Sequence, residues 1–195
     1  TDQDQLPAQD CLPNQSGEDY FSRCYQNHEY TGEYTYTYCT KSSHFQFVID
    51  KVLEQWSQLE ISSAYDLEII RSLWEAKKVS PDITIICNGY KSEQYVSDII
   101  ALWKEWFHNI IIVIDNAYEL NNIDKLIESG SIKIGIRIAT EEEPSSDLYT
   151  SRLGISAKEV VKLYEESIKP NPKFHLMMVH FFMNSKIKDT AYYRS

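Results

Sequence analysis

The chain has 195 residues and a net charge of −10, from 19 Lys and Arg against 29 Asp and Glu. Its composition, 43% apolar and 25% charged, is that of a globular protein and excludes disordered, collagen-like and disulfide-scaffold classes. The acidic balance argues against nucleic acid. No apolar run of about 18 residues predicts a membrane span, and no visible signal peptide leaves a cytoplasmic location as the expectation.

Residues 1–17 lack periodicity and read as a flexible leader. The Asn14-Gln15-Ser16 triplet in it fits a glycosylation pattern by chance. Residues 34–39 alternate Tyr and Thr and predict a strand. Residues 45–59 place Phe47, Val48, Val52, Leu53 and Trp56 at helical spacing. A short strand at 59–62 leads to a helix over 66–78, with Leu67, Ile70, Leu73 and Trp74 on one face. Residues 83–87 predict a third strand, followed by an amphipathic helix through Trp106. Strands at 110–114 and 132–138 flank a helix at 121–128. A helix over 157–168 and a strand over 174–182 complete the pattern. Near-continuous apolar strands alternating with amphipathic helices mean a parallel sheet covered by helices. Such units build either an open doubly wound sheet or an eight-stranded barrel, and periodicity does not choose between them. A closed barrel takes about 250 residues, so a barrel here would be incomplete, with six βα units visible.

Six glycines form neither G-x-G-x-x-G nor a P-loop, so dinucleotide and P-loop chemistry are poor expectations. Cys11, Cys24, Cys39 and Cys87 have no metal-ligand spacing and read as reduced thiols. Met177 and Met178 read as core packing, Trp103 and Trp106 as cover for the sheet, and Glu141, Glu142 and Glu143 as a solvated acidic loop. In either architecture function sits at the carboxyl ends of the strands. The residues gathered there are Lys41, Glu60, Ser62, Ser63, Asn88, Asp115, Arg137, Thr140, His180, Asn184 and Ser185. Lys41 is unusual, with Tyr36, Tyr38 and Cys39 before it and Phe45 and Phe47 after. Apolar surroundings disfavour an ammonium, and an uncharged amine is what adds to a carbonyl. A strand-end lysine whose head reaches water is the other reading of the same position.

Ordered motifs add to this. Residues 30–42, ending in Thr40-Lys41-Ser42, resemble the first barrel strand of biosynthetic arginine decarboxylases, in the alanine racemase-like class of pyridoxal-phosphate enzymes. Leu59-Glu60-Ile61-Ser62-Ser63, Ile85-Ile86-Cys87-Asn88-Gly89-Tyr90-Lys91 and Ile134-Gly135-Ile136-Arg137-Ile138 resemble the second, third and fifth strand motifs. Ser151-Arg152-Leu153-Gly154 resembles the loop after the fifth strand, and residues 180–185 resemble the sixth. The resemblance covers residues 18–195 and implies an incomplete (β/α)8 pyridoxal-phosphate-binding barrel domain.

The resemblance implies that Lys41 holds the cofactor covalently and helps return the proton after decarboxylation. It implies an acidic position near the cofactor ring for Glu60, a ring-supporting arginine for Arg137 and a phosphate-proximal serine for Ser185. Relatives read His-x-His-x-Gly-Ser at the sixth strand; here His180 matches the first His, Phe182 stands for the second, ring-facing one, and Asn184 replaces the glycine. A phenyl ring still stacks on a pyridine but forms no hydrogen bond. The family's later strands, glycine-rich phosphate loop and β-domain are not in these residues, which implies the N-terminal portion of a longer homodimeric enzyme, inactive alone. The implied reaction is decarboxylation of an amino acid, L-arginine to agmatine and CO2 in polyamine biosynthesis. The alternatives are another basic or dicarboxylic amino acid, or a non-catalytic relative that binds a protein partner.

Overall fold

The computed structural model describes residue 32 and residues 34–139 and 154–181. In it, β1 (Thr37–Cys39) leads through a 3-10 turn (Thr40–Ser42) into α1 (Gln46–Glu54). Next come β2 (Gln58–Ile61), α2 (Ala64–Glu75), β3 (Ile85–Cys87), α3 (Glu93–Glu105) and β4 (Ile110–Ile114). They are followed by α4 (Ala117–Leu126), β5 (Ile132–Ile138), α5 (Ala157–Leu163) with a π-helical turn (Tyr164–Ile168), and β6 (Phe174–Phe181).

All neighbouring strands pair in parallel, and the order is β1-β2-β3-β4-β5-β6. A doubly wound sheet reverses its strand order at a switch point. No reversal occurs here, so every crossover runs in one sense and the helices collect on one face, as in a barrel wall. The open alternative is thereby removed, and six strands of the barrel stand among the described residues.

The apolar side chains sort by strand alternation. Leu59, Ile61, Ile85, Cys87, Ile112, Ile114, Ile134 and Ile136 join the core formed with Ile49, Leu67, Ile70, Ile99, Leu102 and Ile123 of the helices. Each buried aliphatic side chain contributes roughly 1.5–3 kcal/mol, so this layer dominates the stability of the wall. Burial pushes the Cys87 thiol up to about 12, making it an inert core group. Cys39 and Cys87 are free thiols; Cys11 and Cys24 lie outside the described residues.

Several boundaries differ from the sequence reading. Trp56 adopts a φ of 59°, which stops α1 before the strand, so Leu59 belongs to β2 and not to the preceding helix. Strand β1 is shorter than predicted, because pairing with β2 covers only Thr37, Tyr38 and Cys39. Ile83 closes a turn on the Ser80 carbonyl, so β3 starts later than residue 83. Helix α4 begins four residues earlier than predicted because the Asn116 side chain accepts the Glu119 N–H at 2.9 Å, an N-cap. Trp106 stacks on Trp74 at 5.9 Å, which ties α3 to α2 rather than only covering the sheet. The leader, Glu141 to Glu143, Arg152, Thr140, Phe182, Asn184 and Ser185 lie outside the described residues.

Candidate active site

The face of the sheet turned away from the helices carries the alternate residues. On β2, Leu59 and Ile61 point helixward, so Glu60 points inward; on β1, Cys39 is its register partner. A Cβ on Gly135 would meet Val113 and Met178, which puts those residues on the inner face too. Asp115 and Arg137 follow Val113 and Gly135 by alternation.

A β-bulge decides what β6 contributes. Ile134 pairs with Leu176 but Gly135 pairs with Met178, so Met177 is an extra residue. Without it Val179 would oppose Arg137; with it His180 does, and the histidine joins the inner face. Met178 packs there, whereas Met177 is 47% exposed, so neither methionine joins the core beneath the helices that was expected of both.

The polar side chains meet at the carboxyl ends of the strands. Asn88 Nδ2 donates to Glu60 Oε1 at 3.4 Å and lies 3.4 Å from His180 Nε2. Cys39 Sγ donates to Glu60 Oε1 at 3.6 Å. Burial, with the Glu60 carboxylate beside it, pushes the Cys39 thiol up and keeps it a donor. Arg137 Nε lies 3.8 Å from Asp115 Oδ1, an ion pair with both partners largely buried. Asp115 Oδ1 and His180 Nδ1 are buried without a hydrogen-bond partner among the described residues.

The loop after β3 is held tightly. Asn88 N–H donates to the Ile61 carbonyl at 2.8 Å, Asn88 Oδ1 accepts from Gly89 N–H at 3.0 Å, and Tyr95 donates its hydroxyl to the Asn88 carbonyl at 3.3 Å. At the end of β2, Ser62 N–H and the Ser63 hydroxyl both donate to Asp66 Oδ2, at 2.9 and 3.0 Å.

Behind the strand ends lies a pair that sequence reasoning missed. Lys91 is 3% exposed and Glu119 4%. Glu119 accepts the Asp115 N–H at 2.8 Å and the Lys91 N–H at 3.4 Å, and Lys91 Nζ donates to the Gly89 carbonyl at 2.5 Å. Burial pushes Lys91 down and Glu119 up, each opposed by the other's charge. Glu119→Gln replaces one of the two oxygens that accept these N–H groups and removes the charge that opposes the burial of Lys91, so it is expected to cost about 3 kcal/mol in urea unfolding. Adding Lys91→Met should return part of that loss; strictly additive effects would show that the two charges do not interact.

Lys41 sits in the 3-10 turn directly after β1, beside Thr40, whose buried hydroxyl donates to the Glu60 carbonyl at 3.1 Å. The apolar shell expected around it is not formed among the described residues. Lys41 is exposed, and Phe45 and Phe47, 65% and 69% exposed, stack on each other at 5.9 Å. Of the predicted site residues, Glu60 and His180 are linked through Asn88, Arg137 pairs with Asp115 and is the register partner of His180, and Lys41 closes the neighbouring strand.

A parallel wall in barrel order, with charged and hydrogen-bonding groups gathered on its inner face at the carboxyl ends, is the arrangement of a barrel enzyme domain. Residues 19–195 match the family described as pyridoxal-dependent decarboxylase, pyridoxal binding domain, and the chain belongs to that family, whose cofactor is pyridoxal phosphate. It is 25% identical over 181 residues to the biosynthetic arginine decarboxylase of Vibrio vulnificus, covering 87% of this chain and 28% of that protein. The chain thus spans about a quarter of the length of the curated relatives it matches. The biosynthetic arginine decarboxylase of Campylobacter jejuni has the same fold, with a TM-score of 0.63 at 21% identity over 86% of this chain and 27% of that one. So does the diaminopimelate decarboxylase of M. jannaschii, with a TM-score of 0.66 at 16% identity over 89% and 39%. Among the described residues no helix is long and apolar enough to cross a membrane.

The inner face suits such a cofactor. Two of its buried atoms, Asp115 Oδ1 and His180 Nδ1, make no hydrogen bond among the described residues, and a heterocycle carrying both a donor and an acceptor would offer partners to both.

Proposed function

We propose that residues 18–195 are the cofactor-binding barrel portion of a homo-oligomeric cytoplasmic decarboxylase that converts L-arginine to agmatine and CO2. The observation that carries this reading is the joining of Glu60, Asn88 and His180, beside the Arg137–Asp115 pair, at the carboxyl ends of strands whose first member closes on Lys41. Bound pyridoxal phosphate supplies an electron sink for the carbon left when CO2 departs.

The chain's own residues then have distinct tasks. Lys41 holds the cofactor covalently and returns a proton to the carbon that lost its carboxylate. Glu60 presents a carboxylate fixed by Asn88 and Cys39, so its orientation is set before any ligand arrives. Arg137 supports the ring and is itself aimed by Asp115. Phe182 offers an apolar ring to stack on the cofactor, and Ser185 a hydroxyl for the phosphate. The order of the motifs and the arginine decarboxylase relatives support arginine as the substrate.

The test is a comparison of decarboxylation rates for arginine, ornithine, lysine and diaminopimelate, using the protein expressed from its full reading frame with added pyridoxal phosphate. Arginine should exceed the others in kcat/KM by at least about a hundredfold, the range a pocket that hydrogen-bonds a polar side chain achieves. A preference for diaminopimelate or ornithine would overturn the substrate, and failure to take up pyridoxal phosphate would overturn the reading as a whole.

A further inference from the structure

Asn88 occupies a position that fixes more than its own side chain. Its Oδ1 is engaged by the Gly89 N–H at 3.0 Å, so Nδ2 is the end turned to Glu60 and His180. The flipped amide would lose the Gly89 bond and set an oxygen against the Glu60 carboxylate. Nδ2 is a donor only, so His180 Nε2, 3.4 Å away, must accept. A neutral imidazole that accepts at Nε2 carries its proton on Nδ1. Burial holds His180 below its ordinary 6.5, against the pull of the Glu60 and Asp115 carboxylates and with the Arg137 and Lys91 cations, which favours the neutral ring. The Nδ1–H is therefore a buried donor with no acceptor among the described residues. The bulge at Met177 is what brings it to the inner face, opposite Arg137.

Resting on the cofactor reading above, we propose that His180 donates a hydrogen bond from Nδ1 to an oxygen of the ligand bound on the inner face, and that Asn88 is the positioning residue that selects this tautomer. The acceptor is an anionic oxygen, either the ring oxygen of pyridoxal phosphate or the carboxylate of the amino acid. His180 is then a binding residue, and its role is served by the neutral ring.

Solid-state 15N spectra of the histidine-labelled full-length protein test this, with the His180 signals assigned by their loss in His180→Gln. The expected result is a protonated Nδ1 and a bare Nε2. Adding pyridoxal phosphate alone should move Nδ1 if the ring oxygen is the acceptor. If the acceptor is the carboxylate, only N-phosphopyridoxyl-arginine, the reduced and unreactive conjugate, should move it. His180→Phe should weaken the ligand that moves the signal by about tenfold, and His180→Gln, which keeps a donor, should recover most of that loss. A proton on Nε2 overturns the proposal, as does an Nδ1 signal that moves with neither ligand while the cofactor's absorption shows it bound. An absent cofactor band removes the cofactor reading itself and is recognised by that absence.

Discussion

Lys41→Ala is expected to leave the full-length protein folded, without the visible absorption of lysine-bound pyridoxal phosphate and with CO2 release from arginine at background. The separation of the two effects follows from where the residue sits. Lys41 is exposed in its turn after β1, and the structural bonds of that turn belong to its neighbours: the Thr40 hydroxyl on the Glu60 carbonyl and the Tyr38 hydroxyl on the Ser43 carbonyl. Removing an exposed side chain of this kind changes stability by no more than about 0.5 kcal/mol. Lys41→Arg should be as inactive, because a guanidinium stays charged and cannot act as the nucleophile. Retained activity in either variant would rule out Lys41 as the cofactor lysine.

Gly89→Ala should produce the largest loss of stability, about 4 kcal/mol in urea unfolding. Gly89 has φ +77°, and a Cβ there would stand 2.1 Å from the carbonyl oxygen of Ser62, which directly follows β2 and whose own N–H is held by Asp66. Relief requires the loop after β3 to move, and with it Asn88, whose Oδ1 rests on the Gly89 N–H. Cofactor affinity should therefore fall in whatever fraction remains folded. Gly130→Ala is the comparison: its φ is +90°, but its nearest neighbour is the Trp103 side chain at 2.9 Å, which can turn aside. That variant should cost about 1 kcal/mol. Equal losses at the two positions would contradict the close approach of Gly89 to β2.

What the sequence reveals here is set by locality. The apolar runs of β4 and β5 and the helical stripe of α2 are local patterns and give their elements directly. Strand order is a long-range property, so the choice between open sheet and barrel waited on the pairing itself. The start of α4 was legible in principle, since Asn116 and Glu119 stand in cap spacing. Glu60, Arg137 and His180 were legible as residues near the carboxyl ends of strands, which is where the structure places them. The face that His180 occupies depends on the extra residue Met177, which no periodicity marks. Nothing local marks Lys91 and Glu119 as buried: a lysine after a turn and a glutamate in a first helical turn both read as exposed, and only tertiary contact buries them.

The most direct test of the account is borohydride reduction of the complete protein loaded with pyridoxal phosphate, followed by peptide mapping of the modified amine. The account predicts a phosphopyridoxyl group on Lys41, in the peptide that follows Tyr38-Cys39-Thr40. A loaded protein in which Lys41 is unmodified, above all one that carries the group on buried Lys91, would contradict it.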